Sequence, residues 1–193
     1  MYSFDEYKNL DSNYGSFASW AIWDYKQPND TSVIDQFRDQ LNSRYVLLGL
    51  NMSRLLNRPA WFNFHDNTHA RKIKFACNDT ELRGSYMTDL FKDMIDSNSN
   101  NFKKSVTKEE IDRNVKLFNH EMIDIRINND TQFIIFGALT LQYFDEYFKQ
   151  GYKNRVILQR HYSSRGTDKE WVESFWKKLN INQNYDLTIK KYK

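Results

Sequence analysis

The run Arg44-Tyr-Val-Leu-Leu-Gly-Leu-Asn51 constrains the fold more than any other stretch. A short apolar segment of this kind reads as a buried strand, and Gly49 ends it. The strand, Tyr45–Gly49, is the first of four candidates, followed by Ser85–Leu90, Gln132–Phe136 and Arg155–Gln159. Helical patterns lie between and after them. His69–Cys77 is short and amphipathic. Lys108–Ile127 carries Ile111, Val115, Phe118, Met122 and Ile125 as an apolar stripe, with Thr107 placed as its cap. Ala138–Phe148 and Asp168–Leu179 follow, the latter with Trp171, Phe175 and Leu179 on one face. Strands alternating with helices predict an α/β fold, a three-layer α/β/α sandwich around a four-stranded, mainly parallel sheet.

At 193 residues the chain fits one domain, residues 1–193, that buries roughly 70% of its unfolded surface. The polar stretch Asp96–Asn101 reads as a loop dividing it near the middle. Lys26–Thr31 is a second loop, with Thr31 or Ser32 as cap for a helix around Val33–Leu41. The one cysteine, Cys77, excludes an internal disulfide framework and a multi-thiolate cluster and reads as a small buried residue. The opening Met-Tyr-Ser-Phe-Asp-Glu lacks the basic and apolar regions of a secretory signal, and no apolar run reaches membrane length. A cytoplasmic chain is expected. The net charge of +3 permits contact with polyanions without demanding it. The tail Lys190–Lys193 and the pair Lys177-Lys178 read as solvated ends, and Tyr14–Trp23 as aromatic core.

Parallel strands bring their carboxyl ends to one edge, where open α/β sheets bind ligands. The ends here are Gly49-Leu-Asn51, Tyr86-Met-Thr-Asp89, Phe136-Gly-Ala and His161-Tyr-Ser-Ser-Arg-Gly166. Asn51, Asp89 and His161 are therefore expected at one crevice. The aromatic loop Trp61-Phe-Asn-Phe64-His65 lies between the first two ends and offers rings to a planar ligand.

Across about residues 44–179 this order resembles the uracil-DNA glycosylase superfamily. That family carries a Gly-x-Asn or Gly-x-Asp turn after its first strand, an aromatic about a dozen positions on, an Asn ending a middle strand, and a His-Pro-Ser-type loop after the last. Gly49-Leu-Asn51 is closest to the mismatch-specific and single-strand-selective branches, and Gly137 sits where the family has a glycine opening a helix. The resemblance implies a monofunctional DNA glycosylase working without cofactor or metal, with DNA as partner, no membrane association, and the chain acting as a monomer. It implies that Asn51 positions the attacking water and that His161 donates a hydrogen bond to the departing base. Phe64, Asp89 and Leu50 would contact the base, and Ser53, Ser163, Ser164 and Arg165 the DNA, Ser163 by gripping a phosphate and Arg165 by filling the vacated stack or reading the opposite strand. Extruding a base costs roughly a few kcal/mol, stacking on Phe64 returns about 1–3 kcal/mol, and a preorganised donor such as His161 contributes roughly 3–4 kcal/mol.

The departures are specific. Met52 and Tyr162 stand where the family has prolines, and Arg165 where an apolar wedge is usual. Asp89 replaces the base-reading Asn. An ionised carboxylate only accepts hydrogen bonds, which suits an exocyclic amine such as cytosine N4. A modified cytosine is therefore expected over uracil, in phage-DNA defence or base-excision repair. The same residues have plainer uses: Asn51 or Asp89 as caps and His161 as a solvated loop residue. His65 and His69 lie four apart like a metal pair, but no third ligand stands at a recognisable spacing, so no metal site is expected. The competing readings are a non-catalytic DNA-binding or base-sensing module on the same fold, and a generic α/β nucleotide-processing enzyme. The last is disfavoured because no glycine-rich phosphate loop is present.

Overall fold

A computed structural model describes residues 2–52, 59–65, 70–92, 94–96 and 99–192. Five strands form one sheet: β1 (Ser19–Trp20), β2 (Asn42–Asn51), β3 (Ser85–Phe91), β4 (Gln132–Phe136) and β5 (Val156–Gln159). Their order is β1-β3-β2-β4-β5, with β1 antiparallel to β3 and the others parallel. The chain is thus α/β, its mostly parallel sheet flanked by helices. The expected four strands are all present, and β1 adds an antiparallel edge within the aromatic segment Tyr14–Trp23. β2 is longer than Tyr45–Gly49 and ends at Asn51, because its ladder with β3 runs on to Asn51 and Phe91.

The helices are α1 (Phe4–Tyr14), α2 (Ser32–Gln36), α3 (Arg71–Cys77), α4 (Ser99–Ser105), α5 (Lys108–Asp124), α6 (Ala138–Tyr143), α7 (Asp168–Leu179) and α8 (Tyr185–Lys190). Three begin in capping boxes: Ser3 with Glu6, Thr107 with Glu110, and Thr167 with Glu170. Two loop readings need correction. The small polar segment from Asp96 leads into α4 at Ser99, so it is not a loop throughout. Thr31 sits at the α2 N-cap but spends its hydroxyl on the Ala60 carbonyl, and α2 soon gives way to a 3₁₀ turn at Arg38–Gln40.

Two apolar layers follow from the alternation of side chains along each strand. Val46 and Leu48 of β2 point to the layer holding Leu10 of α1, Phe118 of α5, and Phe144 in the π-helical turn after α6. Tyr45 and Leu47 point to the other, with Ile73 of α3 and Trp171 and Phe175 of α7. Central strands are buried on both faces, which leaves the carboxyl edge of the sheet for chemistry. Among the described residues no helix is long and apolar enough to cross a membrane.

Candidate functional site at the carboxyl edge

Gly49 is the seat of the site. It pairs in register with Asp89 on the neighbouring strand. A Cβ at Gly49 would lie 2.1 Å from Asp89 Oδ1 and 3.4 Å from Phe64 Cζ. Carboxylate and aromatic ring therefore both rest on the bare Cα. Replacing Gly49 with alanine is expected to push Asp89 aside and to cost about 1–3 kcal/mol through overpacking, read as a lower denaturant midpoint; an unchanged midpoint would contradict the contact.

Asp89 is 3% exposed. Its Oδ2 accepts a 2.9 Å hydrogen bond from Asn63 Nδ2. Burial raises its carboxyl from the ordinary 3.8 to about 6, against the lowering effects of the Asn63 hydrogen bond and of Lys92, and with a small raising effect of Glu121. Because β3 runs on through Phe91, Asp89 is a strand residue and not a helix cap.

Phe64 is 4% exposed, with its backbone left-handed at φ 66°. Trp61 in the same loop has φ 64°. Such geometry costs an L-residue roughly 1–2 kcal/mol and collects at functional sites. The loop is held by Trp61 N–H on the Gly15 carbonyl (2.6 Å), Ser19 Oγ on the Trp61 carbonyl (2.5 Å), and Phe64 N–H on Asn63 Oδ1 (3.1 Å). Tyr162 meets Phe64 edge-on at 6.1 Å between ring centres. Phe64 is thus a packed wall at the edge of the core, not an open stacking platform.

His161 follows β5. Its Cβ would stand 3.5 Å from a Cβ on Gly137, the left-handed residue (φ 95°) that opens α6. Ser163 N–H donates to His161 Nδ1 at 3.2 Å, with Ser163 Oγ 2.7 Å from the same nitrogen. A main-chain N–H can only donate, so Nδ1 is the acceptor and the neutral ring carries its proton on Nε2. The ring stacks on Tyr162 at 4.2 Å. Asp89, Gly49, Phe64, Tyr162, His161 and Gly137 therefore form one chain of contacts along the edge.

Asn51 departs from its expected part. Its Nδ2 lies 3.0, 3.2 and 2.9 Å from the carbonyls of Met52, Met94 and Asp96, clamping the segments after β2 and β3 together. The amide nitrogen is committed, so a water here would be held by Oδ1 or by the main-chain carbonyl. Leu50 faces the layer opposite Asp89 and Phe64, which leaves its main chain alone for a base. Ser163 and Arg165 are exposed, whereas the Ser164 hydroxyl is buried and turned from solvent. A phosphate cannot reach Ser164 Oγ in this arrangement. Ser53 lies outside the described residues.

The loop after β5 is anchored from α3, where buried Lys72 donates to the Ser164 carbonyl at 2.9 Å and reaches that of Gly166 at 3.5 Å. Behind Asp89, buried Lys92 pairs with Glu121 Oε2 at 2.7 Å and donates to Thr88 Oγ1 and the Asp89 carbonyl. Nothing in the sequence marks either lysine or Asn63 as part of a site. Glu121 had a readable signal, since it falls three residues after Phe118 on the apolar stripe of α5.

His65 is 1% exposed, stacked on Trp23 at 4.9 Å, with Nε2 3.3 Å from the Trp20 carbonyl. Burial lowers it to about 4. His69 lies outside the described residues. Among those described, no three His, Cys, Asp or Glu side chains gather as metal ligands. Cys77 is buried and its thiol pushed up by burial.

Comparison with protein-family models, curated proteins and solved structures gave no match.

Asp89 and His65 act on stability with opposite signs. Asp89, raised in the fold, contributes stability fully present below pH 3.8 and lost as pH rises through about 6. His65, depressed, contributes stability present above 6.5 and lost as pH falls through about 4. Asp89→Asn is therefore expected to raise unfolding free energy by about 3 kcal/mol at pH 8 and by little below pH 4. Urea denaturation between pH 4 and 8 checks this; a difference that does not change with pH would refute it.

Proposed function

We propose that this chain is a DNA glycosylase hydrolysing the N-glycosidic bond of an extruded base, with the uracil-DNA glycosylase-like form of the α/β sandwich. The observation that carries the reading is the joint seat of Asp89 Oδ1 and Phe64 on Gly49, with His161 reached through Tyr162 on the same edge. It supplies a base-reading carboxylate, an aromatic wall and a ring N–H donor where an open α/β sheet binds its ligand. The chemistry needs a donor for charge building on the departing base and a positioned water. His161 Nε2–H serves the first, and Asn51 Oδ1 or its carbonyl the second. Ser163 grips a DNA phosphate, and Arg165 fills the vacated stack or reads the opposite strand.

An ionised Asp89 accepts from an exocyclic amine, which favours a modified cytosine over uracil. Phage-DNA defence or base-excision repair, a cytoplasmic location and action as a monomer belong to the same proposal. The test is a panel of single- and double-stranded oligonucleotides carrying uracil, mismatches or modified cytosines, followed by alkali. Strand cleavage at one base class supports the proposal, and an intact panel refutes it.

A second reading, a non-catalytic base-sensing module, draws on the Asn51 amide clamped to three carbonyls and on the deep packing of Phe64. It predicts selective binding of a modified base without release.

A further inference from the structure

Asn63 is a three-way junction. Its Nδ2 donates to the Phe17 carbonyl at 2.7 Å and to Asp89 Oδ2 at 2.9 Å, while its Oδ1 accepts from Phe64 N–H at 3.1 Å. Both amide hydrogens and the amide oxygen are thereby engaged, so the side chain cannot turn over without losing bonds. The two residues it holds are the pair that share the Gly49 seat. Oδ2 of Asp89 faces Asn63, and Oδ1 lies over Gly49 beside Phe64.

We propose that Asn63 is the positioning residue that sets base specificity: by occupying Asp89 Oδ2 it leaves Oδ1 as the single atom that reads the base, and by holding Phe64 N–H it fixes the aromatic wall next to that atom. This rests on the glycosylase reading and deepens it. A carboxylate with both oxygens unclaimed could rotate and take up a proton on either, presenting an O–H donor to a carbonyl base. The N–H donor on Oδ2 stabilises the charged form against the burial that raises this carboxyl, and ionised Oδ1 is an acceptor matched to one exocyclic amine. The substrate class that follows is a 4-aminopyrimidine rather than a 4-oxopyrimidine. The charged groups that bear on Asp89 are Lys92, just past the end of its strand, and Glu121 from α5.

The experiment has two arms. In the first, kcat/KM for release of a modified cytosine and of uracil is compared between wild type and Asn63→Ala. The preference for the aminopyrimidine is expected to fall about tenfold, the discrimination one such hydrogen-bonded contact supplies. A merely structural role would lower both values together, and that result overturns the proposal. The second arm needs neither catalysis nor a variant at Asn63. NMR of the wild-type Asn63 side-chain amide is followed against pH. Its resonance is expected to titrate with Asp89 and to stop doing so in Asp89→Asn. An amide that ignores Asp89 overturns the proposal even where Asn63→Ala fails to fold. Wild type that titrates as expected yet releases no base defeats the glycosylase reading, and with it the specificity role, while leaving the Asn63–Asp89 coupling established.

Discussion

On the proposed glycosylase reading, replacing His161 with alanine is expected to slow base release about 10²–10³-fold at saturating DNA, with little change in the stability of the fold. The Ser163 main-chain N–H fixes His161 Nδ1 as an acceptor and so places the ring proton on Nε2. A neutral imidazole donor needs no proton transfer to stabilise negative charge gathering on the leaving base. Loss of one preorganised donor of this type costs roughly 3–4 kcal/mol in the transition state. The effect belongs in kcat, because the charge is absent from the bound ground state. Single-turnover rates of wild type and variant measure it. Ser163→Ala is the companion, because it removes the hydroxyl while keeping the main-chain N–H, and a much smaller loss is expected. Equal losses would show that the Ser163 hydroxyl, not the main chain, orients the ring.

The largest effect on stability is expected at Lys92. Its ammonium is buried against Glu121, Thr88 and the Asp89 carbonyl, with the rings of Phe17 and Phe118 5.3 and 5.8 Å away. Glu121 is fully buried and also accepts from Tyr86 OH at 2.8 Å. Lys92→Met would leave that carboxylate without its cation, at a cost of about 3–5 kcal/mol. The double variant Lys92→Met, Glu121→Met removes both charges and should recover most of the loss, because the surroundings are aromatic. A double variant no more stable than Lys92→Met would mean that the pair acts through geometry rather than charge. Lys92 also lowers the carboxyl of Asp89, so in a folded Lys92→Met protein Asp89 should titrate above its present value of about 6.

The parallel core was readable because each of its strands is a short apolar run between polar turns. Among the described residues, the capping boxes at Thr107 and Thr167 sit at expected helix starts, the latter one residue before Asp168. β1 has no sequence signature because two residues carry no alternation, and Ser19 and Trp20 become a strand only through pairing with Met87 and Tyr86. α4 begins among small polar residues of weak helix propensity. At the site, residue types were legible and their orientations were not. Asn51 is recognisable as a polar side chain at a strand end, but two of the three carbonyls that occupy its amide come from Met94 and Asp96, more than forty residues on. Asn63 looked like one more residue of an aromatic loop until Phe17 and Asp89 were brought to it. Phe64 was legible as an aromatic near the edge, but not the Tyr162 ring that packs across it.

The most direct measurement is chromatographic detection of free base from duplexes carrying a modified cytosine or uracil, with wild type and Asp89→Asn side by side. The glycosylase account predicts that wild type releases the modified cytosine faster, and that Asp89→Asn shifts the preference toward uracil. No free base from either duplex with wild type would contradict the account at its centre.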